Sequence, residues 1–289
     1  MSETPALDCV GAKLGLLLTV RGRTVSNRIA QAVPDAPVRL AAAVLLIGLI
    51  WMGLYGLFRL VFVQLSRTPL EATVAIPLIF NFFFVAMLAL LTFSNAIIAY
   101  GALFGKSESP YLLTLPIAPL DVVTFKYLEC LVLSSWSLIL LGLPMMFAMA
   151  ATSEEPMFYL FFLAFFLAFI PIPGAIGLLL AWGVARFFPR RATRAATLLT
   201  AVGLTVVIVT GLRSLQIGET ATEVWLRAFL TRMSFVQSAL LPNNWVAAGI
   251  DHAIHGQFPV SFRGLGVTLA NAFFLSWVGV RIVSRYFDG

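Results

Sequence analysis

The sequence has few charged residues. Only 11% of its 289 residues are charged, whereas 60% are hydrophobic, and the mean hydropathy is +0.96. A soluble domain has about a quarter of its residues charged and about half of them apolar. A chain this apolar cannot hide its nonpolar surface from water by folding on itself. The composition therefore predicts a protein whose solvent is the lipid bilayer.

Cysteine, histidine and catalytic motifs are also scarce. The two cysteines, Cys9 and Cys130, are too few and too far apart to indicate a disulfide framework or a thiolate metal site. The two histidines, His252 and His255, follow Asp251, and a polar turn explains them better than a metal site that lacks a further strong ligand nearby. Motifs for zinc hydrolysis, serine hydrolysis and phosphate binding are missing. We therefore predict no catalytic, metal-binding or cofactor-binding residue on this chain, which argues against a membrane enzyme.

Charge-free windows long enough to cross a bilayer occur six times. A helix needs about 20 apolar residues to cross a hydrocarbon core of ~30 Å. The windows are Leu40–Phe58, Ala72–Gly105, Cys130–Ser153, Pro156–Ala185, Ala195–Leu212 and Gly264–Val280. They predict an all-α polytopic membrane protein with six transmembrane helices in one domain, residues 40–289. Pro171, Pro173 and Gly174 predict a kink in the middle of the fourth window.

The distribution of lysine and arginine predicts the orientation. If the amino terminus is cytoplasmic, most basic residues fall in the inner segments, as the positive-inside rule requires. Both termini are then cytoplasmic. The net charge of +6 is largely a topology signal, and the basic inner face suits anionic membrane lipid. A nucleic-acid partner is not predicted, because the basic residues are scattered over separate segments.

Residues 1–39 form the second predicted unit. Val25, Ile29 and Val33 recur at helical spacing among arginines, before Pro34 and Pro37 break the chain. We expect an amphipathic interfacial helix on the cytoplasmic membrane surface. The alternative is a solvated basic tail.

A second apolar interruption lies between the fifth and sixth windows. Met233–Ile250 is free of charge, but Pro242, Asn243 and Asn244 interrupt it. Two adjacent asparagines beside a proline would be costly at the centre of a lipid-facing helix. We therefore predict a re-entrant outer helical segment, with Pro242, Asn243, Asn244 and Trp245 at its turn. The alternative is a seventh span.

The interiors of the predicted spans have neutral polar residues but no charged residue near their centres. The neutral residues are Asn81, Ser94, Asn95, Ser134, Ser135 and Asn271. Hydrogen bonding between helices is the favoured use of these side chains, and lining a transport path is the alternative. Ion-coupled carriers usually need an ionisable group at mid-depth, so a self-powered transporter is disfavoured.

The inner segment between the second and third windows, Gly105–Asp121, is apolar but too short to cross the membrane. Ser109 can cap a helix with Pro110 in its first turn. An apolar patch follows, formed by Leu112, Leu113 and Leu115, and Pro116 and Pro119 end it. Asp121 can start the third span, and Lys126 can pair with Glu129 at the inner end of that span. We predict a short cytoplasmic helix that docks a partner. The alternative is a loop that only connects two spans.

At these residues the chain resembles a known family. The stretch Ser-Glu-Ser-Pro-Tyr-Leu-Leu-Thr-Leu-Pro-Ile-Ala-Pro at residues 107–119 looks like the linker of integral-membrane permeases of bacterial ATP-binding cassette (ABC) exporters of the type-2 class. The run from Leu241 through Trp245 to Gly249, followed by Gly256, resembles the outer segment of such permeases. The resemblance covers most of the chain in layout.

The resemblance implies a permease subunit in the bacterial cytoplasmic (inner) membrane. A coupling helix containing Glu108, Leu112, Leu113, Leu115 and Pro116 would contact a separate ABC-type ATPase subunit, which binds the ATP. Two six-span halves would form one transporter, so the chain would pair as a homodimer or with a second permease half. It would export a substrate that the sequence does not identify, and the uncharged span interiors favour an amphipathic one. The competing interpretation is a non-transport membrane scaffold or assembly factor that binds some other cytoplasmic partner.

Overall fold

The computed structural model describes residues 37–66, 69–104, 118–151, 156–187 and 241–287. These residues are almost entirely helical and include no strand. The helices are α1 (Pro37–Ser66), α2 (Pro69–Ala99), a π-helical turn (Tyr100–Phe104), α3 (Pro119–Ala150), α4 (Met157–Phe169), α5 (Pro171–Phe187), α6 (Pro242–Ile254) and α7 (Phe258–Phe287). The predicted all-α class is confirmed for this part of the chain. The predicted amino-terminal surface helix lies outside the described residues, apart from the last residues of the 1–39 segment, which begin α1.

Proline sets where most of these helices begin. The first residue of five helices is a proline, namely Pro37, Pro69, Pro119, Pro171 and Pro242. The first turn of a helix tolerates proline because its N–H would have no intrahelical partner there, and its fixed φ already suits the helix. The same residue type that interrupts the apolar runs in the sequence therefore marks the helix starts.

Five helical stretches are long and apolar enough to cross a membrane. They are Ala41–Leu65, Ala75–Phe104, Pro119–Ala150, Met157–Phe187 and Phe258–Tyr286. They match the first four predicted windows and the sixth. The fifth predicted span, Ala195–Leu212, lies outside the described residues, so a six-span count stays a prediction. A multi-pass membrane protein is confirmed.

The third span begins well before its charge-free window. The window starts at Cys130, whereas α3 starts at Pro119 and includes three charged residues that the window excluded, Asp121, Lys126 and Glu129. Lys126 Nζ lies 3.1 Å from Glu129 Oε2, and the lysine side chain is only 4% exposed. The expected pairing of Lys126 with Glu129 at the inner end of the third span is thus confirmed, and a paired charge can be accommodated in a helix where a lone one would be costly.

The predicted kink in the fourth span is present as a break. α4 ends at Phe169 and α5 begins at Pro171, with Ile170 between them. Pro171 and Pro173 have no backbone N–H to donate to the preceding turn, which accounts for the interruption.

Two buried clusters divide the bundle along its length. The aromatic cluster contains Phe62 of α1, Phe80 and Phe84 of α2, the end of α3, most of α4 and the buried face of α6. The connector cluster contains the end of α2, the start of α3, the middle of α5 and the end of α7. We call the corresponding ends of the bundle the aromatic end and the connector end, the latter because α2 ends and α3 begins there.

The path of the chain follows from these clusters. α1 runs toward the aromatic end, α2 runs to the connector end, and α3 returns to the aromatic end. α4 and α5 lead back to the connector end. α6 lies at the aromatic end, and after a turn at Gly256, whose φ is 71°, α7 runs to the connector end. A φ of this sign is the left-handed region that glycine adopts without strain.

One glycine allows α2 and α5 to approach closely. A Cβ added at Gly177 would lie 2.7 Å from the carbonyl oxygen of Thr92 and 2.9 Å from the backbone nitrogen of Ala96. Backbone atoms cannot move aside as a side chain can. Small residues at such crossings are the usual basis of close helix packing in membranes.

We expect Gly177→Val to destabilise the bundle by about 1–3 kcal/mol, because α2 and α5 must move apart to admit the side chain. Thermal unfolding of the purified chain in detergent measures the loss. The matched control is Gly183→Val on the same helix, where an added Cβ meets no atom within 4 Å. Equal losses in the two variants would mean that helix propensity, not close packing, accounts for the effect.

Candidate functional site

The predicted coupling residues fall between two described ends of the chain. Glu108, Leu112, Leu113, Leu115 and Pro116 lie outside the described residues. The described chain stops at Phe104 and resumes at Ala118. The neighbouring residues on both sides are packed into the connector cluster, where Leu103 and Val123 are buried. The segment between them is therefore attached at both ends to the packed interior of the bundle.

The upstream attachment is the π-helical turn Tyr100–Phe104. The ring of Phe104 lies 5.9 Å from the ring of Tyr286 near the end of α7, and 6.0 Å from the ring of Tyr100. π-Helical turns are rare and are frequent at functional sites. Through the contact between Phe104 and Tyr286, this turn packs the end of the second span against α7. It is the last described element before the predicted coupling residues.

The downstream attachment is the first turns of α3. Ala118 is extended, with φ −62° and ψ 138°, and Pro119 begins the helix. Asp121 lies in the first turn and is only 6% exposed, where a carboxylate is favoured by the positive end of the helix dipole. The Lys126–Glu129 pair follows one turn later. The side chains of Asp121, Lys126 and Glu129 are therefore largely buried rather than solvated.

The four residues of the predicted outer turn form the first turn of α6. Leu241 is extended, with φ −88° and ψ 133°, and Pro242 is the first helical residue. Asn243 is fully buried, and Asn244 and Trp245 are half-buried. These residues therefore begin a helix that packs into the aromatic cluster.

Three asparagine side chains meet where α6 begins. Asn81 of α2 accepts a short hydrogen bond from Nδ2 of Asn243 and donates from its own Nδ2 to Oδ1 of Asn244 at 3.2 Å. Asn81 is 4% exposed. The two asparagines that looked costly in lipid are thus compensated by a third, because buried amides are tolerated when they bond to each other. We call these residues the asparagine cluster.

The other neutral polar residues of the spans behave differently. Asn95, Ser134, Ser135 and Asn271 donate to carbonyl oxygens three or four residues earlier on their own helices. Bonding between helices was expected for the whole group, and among these five residues it holds only for Asn81.

Sequence reasoning missed a second polar junction, at the break in the fourth span. The hydroxyl of Tyr127 on α3 donates to the carbonyl oxygen of Pro171 at 2.9 Å and lies 2.7 Å from the hydroxyl of Ser276 on α7. Three elements meet at this tyrosine. The proline-broken helix was the only signal, since it indicates where irregular backbone needs polar partners.

The glycines of the outer motif have structural roles. A Cβ at Gly249 would overlap the ring of Phe165, and the hydroxyl of Ser261 donates to the Gly249 carbonyl at 2.9 Å. Gly256 makes the turn into α7. The motif thus packs α6 against α4 and α7.

Asp251 and the two histidines lie at the end of α6. Burial raises the pKa of the Asp251 carboxyl, while His255, with Nδ1 3.7 Å from Asp251 Oδ1, and His252 oppose the shift. His252 Nδ1 bonds to Gln257 Oε1 at 2.8 Å. In the described part of the chain, no three His, Cys, Asp or Glu side chains group as metal ligands.

The asparagine cluster should stabilise the fold cooperatively. Asn81→Leu or Asn243→Leu alone leaves buried amides without a partner and should cost about 1 kcal/mol or more. The double variant should lose less than the sum by at least about 0.5 kcal/mol, because neither amide remains. Thermal unfolding of all four proteins measures the coupling. Asn271→Leu is the control, since that side chain bonds only within its own helix; strictly additive losses would contradict the cluster.

Asp251 should make stability depend on pH. Its raised pKa means that the fold favours the neutral carboxyl, so this contribution is complete below the ordinary value of 3.8 and is lost as pH rises through the folded value. We expect Asp251→Asn to raise the unfolding temperature at pH 8. The gain should shrink as the pH falls toward the raised value, because the wild-type carboxyl then becomes neutral in the folded protein.

Thermal scans across pH 5–8 check this. A gain from Asp251→Asn that grows as the pH falls would show that the carboxylate stabilises the fold.

Comparison with known proteins supports one family. The family model described as "Putative ATP-binding cassette" matches residues 32–289. No curated protein and no solved structure matches the chain significantly. The match covers every described helix. With its five helices long and apolar enough to cross a bilayer, the chain belongs to this ATP-binding cassette family as a multi-pass membrane protein.

Proposed function

We propose that the chain is the permease subunit of an ATP-driven ABC exporter, with ATP hydrolysis on a separate ATPase subunit. Family membership and the candidate spans support a membrane component of an ABC system. The sequence has no phosphate-binding loop of its own. Energy would therefore have to enter through contact with another chain.

The observation that carries this proposal is that residues 105–117, which we call the coupling segment, are attached at both ends to the connector cluster. Leu103 before it and Val123 after it are buried in the same cluster as Ala181 of α5 and Val283 of α7. A force on residues 105–117 would act on α2, α3, α5 and α7 together. Packed interiors transmit such displacements because they do not deform continuously.

Charge supports a cytoplasmic connector end. Lys126 and the last turns of α5 and α7, with Arg186 and Arg285, lie at that end. Arg59 and Arg263 lie toward the aromatic end. By the positive-inside rule, the connector end and both termini would face the cytoplasm. The bacterial inner membrane is what the resemblance to ABC exporter permeases implies.

Six spans and a re-entrant segment also belong to the proposal. The described chain stops at the connector end with Phe187 and resumes at the aromatic end with Leu241. A crossing at Ala195–Leu212 would connect them. α6 has 13 residues, about 20 Å of helix at ~1.5 Å per residue, and is too short to span a ~30 Å core. Its packed, asparagine-containing start suits a segment that enters the membrane from outside and turns back.

A second copy or a second permease half would complete the transporter. α1 is the least buried candidate span, with 0% of its most apolar window buried. Gly48, Gly53 and Gly56 on α1 have no atom within 4 Å of an added Cβ, so a partner helix could approach them closely. An amphipathic substrate suits a path between spans that lack charge at mid-depth.

The coupling segment should contact the ATPase directly. A photo-crosslinker placed at Leu112 of the full-length chain, expressed in its host, should give a crosslink to an ABC ATPase identified by mass spectrometry. Glu108→Lys combined with Leu112→Asp should reduce ATPase co-purification at least tenfold, since the docking surface loses its charge and apolar contact. Native mass spectrometry of the wild-type complex should show two ATPases with two permease chains or halves.

The matched control is a crosslinker at His255, which is exposed at the opposite end and should capture no ATPase. His255→Glu should likewise leave co-purification unchanged. If the crosslinker at Leu112 captures a different protein and the complex contains no ATPase, the permease interpretation fails and the scaffold interpretation is favoured.

A further inference from the structure

A groove lies between α3, the break of the fourth span and α7. Its volume is about 470 Å³, within the range of small-molecule sites. Most lining side chains are apolar, including Leu128, Leu131, Leu167, Leu269 and Phe273. The proposed export function does not use this groove, although Leu120 of the inner segment Gly105–Asp121 and Pro171 of the break lie in its wall.

The polar groups inside the groove already bond to protein. Tyr127, Ser276 and the Pro171 carbonyl form the polar junction described above. The hydroxyl of Thr124 donates to the Leu120 carbonyl at 2.7 Å. The wall therefore presents little unused hydrogen-bonding capacity, and it suits a hydrocarbon rather than a polar solute.

The side chain of Arg281 provides a positive charge at one end of the groove. Arg281 lines it and is exposed, and no carboxylate in the described part of the chain lies within ion-pair distance of its guanidinium. A guanidinium binds phosphate through parallel hydrogen bonds. Trp277, four residues earlier and so on the same helix face, is 59% exposed and suits the membrane interface.

The length of the groove matches one leaflet. From Leu269 to Arg281 along α7 is about 18 Å at ~1.5 Å per residue, and half of a ~30 Å core is ~15 Å. The cationic end is the connector end, where α7 approaches its last turn. The groove thus runs from the depth of phosphate headgroups to about the middle of the bilayer.

The groove opens sideways. Phe273 is 82% exposed and Leu167 is 59% exposed, so in a membrane these side chains face hydrocarbon. An occupant could enter from the surrounding leaflet without crossing water. A second copy fits less well, because each copy carries a net charge of +6 and would bring another basic surface to the arginine.

We propose that this groove binds an anionic phospholipid of the leaflet at the connector end. One acyl chain lies against Leu128, Leu131 and Phe273, and the phosphate pairs with Arg281. The lipid bridges α3 and α7 on the exposed side of the Tyr127 junction. This proposal depends on the chain being a membrane protein and not on its export function.

Native mass spectrometry of the full-length chain in neutral detergent tests this with two lipids, phosphatidylglycerol and phosphatidylcholine. The wild type should retain phosphatidylglycerol about fivefold better, as expected for one arginine at the membrane surface. Arg281→Gln should remove this preference. Arg285→Gln is the matched control, since Arg285 is exposed on the same helix but outside the groove, and it should keep the preference.

A second pair of variants tests the apolar part. Leu269→Trp should fill the groove and reduce retention of both lipids, whereas Phe274→Trp, exposed beside it but not lining it, should not. Glycerol phosphate should not compete with the lipid. The proposal would be overturned if the wild type and Arg281→Gln both retained phosphatidylglycerol and phosphatidylcholine equally. It would also be overturned if glycerol phosphate fully displaced the bound phosphatidylglycerol. A photo-crosslinker placed at Leu269 that captures a second copy, or residues 195–212 of the same chain, in the presence of phosphatidylglycerol would also overturn it.

Discussion

Close packing between apolar surfaces is the constraint on which this bundle depends. Lipid tails are as apolar as leucine, so burying apolar side chains between helices gains little hydrophobic free energy in a bilayer. Dispersion contacts and hydrogen bonds must hold the helices together. The buried rings around α4, such as Phe162 between Phe84 and Phe158, and the close approach at Gly177 supply the contacts. The asparagine cluster supplies hydrogen bonds between α2 and α6.

This packing is unequal along the bundle. At the aromatic end, large rings and a short helix, α6, fill the space between α2, α4 and α7. At the connector end the buried residues are smaller or polar, and they include Ala99, Cys130 and Ala181 with the Lys126–Glu129 pair beside them. The two ends of the bundle therefore pack differently, with interlocking rings at the aromatic end and smaller side chains beside a buried ion pair at the connector end.

The sequence predicted the positions of the helices better than the contacts between them. Apolar windows located five spans, and Pro171 located the break, because length and proline act locally. The charge-free window began only at Cys130, but Asp121 indicated the start of the third span, and the expected Lys126–Glu129 pair three residues apart is confirmed. Asn243 was recognised as costly, but its partner is 162 residues distant. The junction of Tyr127 with Ser276 is similarly remote, at 149 residues, so no local pattern indicated it.

The connector end brings three features onto the same two helices. α3 begins directly after the coupling segment, α7 touches its upstream flank through Tyr286 and Phe104, and the apolar groove lies between α3 and α7. A displacement of α3 relative to α7 would change the width of the groove and load the Tyr127 junction. An occupant that binds one width better than another must, by linkage, favour the corresponding helix arrangement. The groove and the coupling segment would therefore be energetically coupled through α3 and α7 themselves, without a separate pathway between them.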